Sequence, residues 1–122
     1  MKKLKILVVD DEIEVRNLFK LLLETEGHVV ELAENGLVGV EKFKVSTFDV
    51  VLLDVHMPVM TGPKALKEIK RIKPDQKVVI LGSSYDSELT LEKQAEKLGA
   101  FTYLYKPVSI EEILCALEKA TS

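Results

Sequence analysis

Val50-Val51-Leu52-Leu53-Asp54 decides the fold. Four consecutive apolar residues, half of them β-branched, make one strand's length, and the run stops on a carboxylate. The pattern recurs as Ile6-Leu7-Val8-Val9 before Asp10-Asp11, and as Val78-Val79-Ile80-Leu81 before Gly82-Ser83-Ser84. Uninterrupted apolar runs of this length read as strands buried on both faces. His28 to Ala33 and Phe101 to Tyr105 read as weaker strands, the second leading into Lys106-Pro107. Between the runs the spacing turns helical. Val15, Leu18, Phe19 and Leu22 share one stripe, taken as mostly core, and Gly27 offers a stop. Ala65, Leu66, Ile69 and Ile72 repeat the stripe before Pro74. Ile110, Ile113, Leu114 and Leu117 repeat it again, with Cys115 inside that apolar pattern, and Ser109-x-x-Glu112 supplies a capping box. Asn35 to Val45 and Asp86 to Leu98 complete the set. Five βα units in regular alternation predict a parallel sheet with helices on both faces. Five strands are too few for a closed eight-stranded barrel, so the expected fold is a doubly wound α/β sheet.

Composition narrows the function. The chain has 122 residues, 47% apolar and 30% charged, which suits a single globular domain across residues 1–122. Seventeen basic against twenty acidic residues give a net charge of −3, which argues against a general nucleic-acid binder. Cys115 is the single cysteine and cannot form an internal disulfide, which fits a reducing cytoplasm. No apolar run approaches membrane-spanning length, and Asp10-Asp11 interrupts any signal-like run after Met1-Lys2-Lys3.

Ligands of doubly wound sheets bind beyond the carboxyl ends of the strands. Those ends carry Asp10-Asp11, Asp54, Gly82-Ser83-Ser84 and Lys106-Pro107. Each residue alone has an ordinary explanation: a cap, a turn or a solvated lysine. With the first and third strands adjacent, however, three carboxylates converge, and capping does not account for the cluster. Their mutual repulsion is relieved by a hard divalent cation with oxygen ligands, magnesium above all. No second histidine or cysteine lies at a spacing that suggests zinc. His56 reads as a loop side chain and His28 as a partly exposed strand residue, while Gly82 is expected to loosen the loop after the fourth strand.

Leu7-Val8-Val9-Asp10-Asp11-Glu12, Leu53-Asp54-Val55-His56-Met57-Pro58-Val59-Met60-Thr61-Gly62 and Tyr103-Leu104-Tyr105-Lys106-Pro107 together resemble the receiver domain of two-component response regulators. The resemblance spans the whole chain and is closest to stand-alone receivers without an output domain. It implies a flavodoxin-like (βα)5 sheet of strand order 2-1-3-4-5. It implies that Asp54 accepts a phosphoryl group from the phosphohistidine of a sensor histidine kinase or a histidine phosphotransfer protein. Asp11, Asp54 and the His56 backbone carbonyl would hold Mg2+, or Mn2+ in its place, with Asp10 acting mainly through a bound water. Lys106 would pair with the phosphoryl group through a loop containing a cis Lys106–Pro107 bond, whereas the sequence by itself favours trans. Ser83 would bond a phosphoryl oxygen, and Tyr103 would be the aromatic residue that reorients. Counting back from Lys106 selects Ser84 instead; Ser83 is preferred because Ser84 then supplies the small residue that normally follows. His56 and Tyr85 would tune dephosphorylation.

The expected protein is thus a signalling phosphoacceptor, not an enzyme, although it assists its own phosphorylation and dephosphorylation. It would be monomeric when unphosphorylated and would pass its signal to a downstream protein through the fourth helix, fifth strand and fifth helix, with no direct nucleic-acid or membrane contact. A small aspartate-nucleophile phosphatase would need the same residues, but no cap or substrate-pocket segment is present. A phosphate-independent binding module would not need them. A flavin protein of the same fold would want a hydroxyl-rich phosphate loop after the first strand, which is absent.

Overall fold

The computed structural model describes residues 2–82 and 88–122, with the side chains of 88–91 left aside. The elements alternate as β1 (Lys5–Val9), α1 (Ile13–Thr25), β2 (Val29–Ala33), α2 (Gly36–Val45), β3 (Val50–Asp54), α3 (Gly62–Ile72), β4 (Lys77–Gly82), α4 (Glu88–Lys97), β5 (Thr102–Tyr105) and α5 (Ile110–Thr121). The strands form one sheet in the order β2-β1-β3-β4-β5, and every pairing is parallel. This is the expected flavodoxin-like, doubly wound architecture.

The sheet divides two apolar layers. Leu7, Val9, Val51, Leu53, Val78 and Ile80 face a layer that includes Val40, Phe43, Leu66 and Ile69 from α2 and α3. Ile6, Val8, Val50, Leu52, Val79 and Leu81 face Phe19, Leu23, Ile113 and Leu117 from α1 and α5. Successive side chains of a strand point to opposite faces. Because both faces are covered, every position of the central runs must be apolar. β5 is an edge strand with only partly buried side chains, which explains its weaker pattern.

Local chemistry sets the helix starts. The Asn35 side chain accepts the Val38 N–H at 2.9 Å and opens α2. The Ser109 hydroxyl accepts the Glu112 N–H, and the Glu112 carboxylate accepts the Ser109 N–H, each at 3.1 Å, so the capping box of α5 is complete.

Four details of the sequence reading change. In α1 the buried residues are Phe19 and Leu23, while Leu18 is 52% exposed. His28 lies just before β2, not in it, and is buried, with Nδ1 accepting the Leu4 N–H at 3.0 Å. Burial holds its pKa below the usual value, with Glu26 opposing the shift. Cys115 is exposed on α5 because it faces away from the stripe of Ile113, Ala116 and Leu117. Phe101 falls outside β5, which begins at Thr102.

The start of α3 is pressed against the end of β3. Gly62 donates its N–H to Val55 O at 2.9 Å. A Cβ at Gly62 would lie 2.5 Å from Asp54 O and 2.7 Å from Val55 Cα, both backbone atoms. Gly62→Ala should therefore destabilise the protein by about 1–3 kcal/mol through overpacking. Thermal denaturation checks this; an unchanged Tm would mean that the β3–α3 junction yields freely.

Candidate functional site at the carboxyl ends of the strands

The register of the sheet brings the site together. Val9 pairs with Leu53, so Asp10 and Asp54 sit at neighbouring strand ends. Asp54 also pairs with Leu81 of β4, and Lys106 donates its backbone N–H to Gly82 O at 2.6 Å, which carries the β5 end to the same rim. Asp10 and Asp54 are buried, at 1% and 3% exposure. Lys106 bridges them: its Nζ lies 2.8 Å from Asp54 Oδ1 and 3.7 Å from Asp10 Oδ2.

The two carboxylates differ. Asp10 Oδ1 accepts the Glu12 N–H at 2.9 Å, so one oxygen serves the turn into α1, much as a capping residue would. Among the described residues its Oδ2 is buried without a hydrogen-bond partner. The Lys106 ammonium at 3.7 Å is an ion-pair partner too distant for a hydrogen bond, and a buried carboxylate oxygen that lacks hydrogen bonds is costly. Arg16 of α1 donates to the Asp10 backbone carbonyl at 2.7 Å and fixes the strand end. Neither Glu12 nor Arg16 was expected to contribute. Glu12 is the formal N-cap of α1 but makes no side-chain cap bond. Its carboxylate instead joins those of Asp10 and Asp11, with one oxygen from each within 4.8 Å of the others. An all-oxygen donor set holding one unsatisfied buried oxygen fits a hard divalent cation.

Burial pushes the Asp54 carboxyl above the ordinary carboxylate range. Lys106 pulls it back through its hydrogen bond and charge, and Asp10 and Asp11 push it up again. Lys106 is drawn down by burial, but Asp54, then Asp10 and Glu12, outweigh this and hold it above the usual lysine value.

Among the other predicted residues, Asp11 is exposed at the mouth and shares with His56, Met57, Pro58 and Thr61 the lining of an open depression of about 340 Å³. His56 is an exposed loop residue. The Lys106–Pro107 peptide bond is cis. Ser83, Ser84 and Tyr85 lie outside the described residues. Tyr103 lies on β5, partly buried against the α2–α3 layer, with its ring 5.1 Å from that of Tyr105 at an interplanar angle of 58°. Gly82 seats Tyr103: a Cβ there would stand 2.6 Å from Tyr103 Cζ, while the loop it was expected to loosen lies outside the described residues. That role depends on β4–β5 pairing, so the local sequence gave no sign of it. Tyr105 donates its hydroxyl to Glu92 of α4 in a short hydrogen bond.

The model of the response regulator receiver domain matches residues 6–118. The chain belongs to this family. The chemotaxis protein CheY of Listeria monocytogenes is 36% identical over 118 residues, covering 96% of this chain and 98% of that protein. A solved receiver domain protein from Clostridium thermocellum is 38% identical with a TM-score of 0.89, covering 96% of this chain and 93% of its own. The response regulator TrrA of Thermotoga maritima, solved in complex with Mg2+ and BeF, is 33% identical with a TM-score of 0.84, covering 98% and 99%. The chain spans 26% of the length of the transcriptional regulatory protein ZraR, which also matches, and 48% of a CpxR homolog of Haemophilus influenzae. The protein is a CheY-like receiver domain of two-component response regulators. Among the described residues, no helix is long and apolar enough to cross a membrane.

A raised folded-state pKa means that Asp54 contributes stability while protonated, and that this is lost as pH rises through the folded value. Without divalent cations, Asp54→Asn should thus be more stable than the parent at pH 7, and the gap should close toward pH 4. Urea denaturation across that range decides it. A parent more stable than the variant at pH 7 would mean that the Lys106 pairing outweighs burial.

Proposed function

We propose that Asp54 accepts a phosphoryl group from the phosphohistidine of a sensor histidine kinase or a histidine phosphotransfer protein. The observation that carries this reading is the single ammonium of Lys106 set 2.8 Å from Asp54 and 3.7 Å from the unsatisfied oxygen of Asp10. An Asp54 oxygen attacks phosphorus, the P–N bond breaks, and the imidazole leaves carrying the bond's electron pair. Lys106 offsets charge on the transferring group as a compact point charge. Asp10, Asp11, Asp54 and the His56 carbonyl would hold Mg2+, or Mn2+ in its place. That cation, when bound, neutralises charge gathering at the acceptor and keeps Asp54 ionised. TrrA, the relative solved with Mg2+ and BeF, supports this assignment.

Ser83 is the hydroxyl proposed to meet the phosphoryl group, and Ser84 is its alternative. Phosphorylation adds charge and acceptor oxygens at Asp54 and shifts a population between two arrangements of α4, β5 and α5. Tyr103 is the side chain proposed to change position, and His56 and Tyr85 are proposed to tune dephosphorylation. We read residues 1–122 as one receiver unit, monomeric when unphosphorylated. Its signal passes by contact with a downstream protein or by onward transfer, without direct nucleic-acid or membrane contact. A cytoplasmic setting agrees with the unpaired Cys115 thiol. The protein assists its own phosphorylation and dephosphorylation but does not turn over a separate substrate.

Acetyl phosphate and magnesium, followed by intact mass, provide the test. One phosphoryl adduct is expected, dependent on magnesium and absent from Asp54→Ala. Lys106→Met should form it slowly or not at all. An adduct that persists in Asp54→Ala would overturn the assignment of the acceptor.

A further inference from the structure

The sheet ends on β2, whose outer edge is guarded. In a parallel pair, an edge strand bonds its neighbour through alternate residues and turns the others outward. Val29 donates to Leu4 O at 2.8 Å, and Ala33 O accepts the Asp10 N–H at 3.1 Å. The odd-numbered residues of β2 therefore serve β1, and Val30 and Leu32 turn their backbone groups away from the sheet. Both outward carbonyls are occupied. Lys20 of α1 donates to Val30 O at 3.4 Å, and Lys42 of α2 donates to Leu32 O at 2.5 Å. These helices pack on opposite faces, so the two ammonium groups close over the edge from both sides. Between them Glu31 pairs with Lys5 at 3.3 Å.

An unguarded edge of this kind would accept a second copy of the same chain. A two-fold axis through such a contact would pair β2 antiparallel with its own image. Val30 of one copy would exchange hydrogen bonds with Leu32 of the other, and Glu31 would stand directly opposite Glu31. Like charges directly opposite destabilise a strand pair. The ladder would also have to strip both ammonium groups from their carbonyls and displace their side chains.

We propose that Lys20 and Lys42, with Glu31 between them, form an edge guard that keeps β2 from pairing with a second copy of this chain. The guard sits on residues outside the phosphoryl-transfer site and does not depend on the proposed chemistry.

Sedimentation velocity on the full chain over a concentration series tests it, with near-ultraviolet circular dichroism to report the fold. Parent and the double variant Lys20→Arg with Lys42→Arg should sediment alike. Lys20→Met with Lys42→Met should self-associate at least about tenfold more tightly. Adding Glu31→Thr should tighten it further. Adding Leu32→Pro should abolish it, because that proline removes an outward N–H that β1 does not use. If the Met pair fails to fold, Lys20→Gln with Lys42→Gln takes its place under the same criteria. A folded neutral pair that sediments as the parent overturns the proposal. So does association that survives Leu32→Pro.

Discussion

Two carboxylates buried at the ends of adjacent parallel strands, with one ammonium between them, set the terms for this molecule. Parallel pairing of β1 and β3 in the register Val9 to Leu53 places Asp10 beside Asp54. Two such charges in a partly dry rim repel, and one lysine compensates only part of the cost. The imbalance is visible in the Asp10 oxygen that lacks a hydrogen bond among the described residues and in the raised pKa of Asp54. A site built this way favours whatever brings positive charge to the rim. Other features serve the same geometry. Gly62 lets α3 begin against the Asp54 backbone, Arg16 holds the Asp10 carbonyl, and β5 returns Lys106 to the Gly82 carbonyl.

The architecture was largely legible because burial on both faces leaves the central strands no freedom. Val50 to Leu53 and Val78 to Leu81 are apolar at every position, since each faces one of the two layers. Legibility failed where a choice of face or a distant partner decided the outcome. In α1, Leu18, Leu21, Leu22 and Leu23 make the helix apolar around much of its circumference. The stripe through Leu18 was then as plausible as the one through Leu23 that the sheet buries. His28 looked like a half-exposed strand residue, but its ring closes over the Leu4 N–H, a contact 24 residues away in sequence. Cys115 sat inside an apolar pattern yet points outward from α5.

The site divides in the same way. Asp10, Asp11, Asp54 and Lys106 could be found because strand ends are fixed by strand runs. Glu12 and Arg16 could not, because their parts depend on the turn geometry between β1 and α1. Gly82 was read from its own flexibility, whereas its importance lies in the Tyr103 ring delivered by the neighbouring strand. Nothing in the local sequence marks Lys20 and Lys42, because their contacts depend on the edge position of β2.

The most direct measurement of this account is a carboxyl-carbon NMR titration of Asp54 in the parent and in Lys106→Met, each with and without magnesium. In the parent the Asp54 pKa should lie above the ordinary carboxylate range. It should rise further when the lysine is removed and fall when magnesium is added. An Asp54 that titrates at the ordinary value and ignores both the lysine and the cation would contradict it.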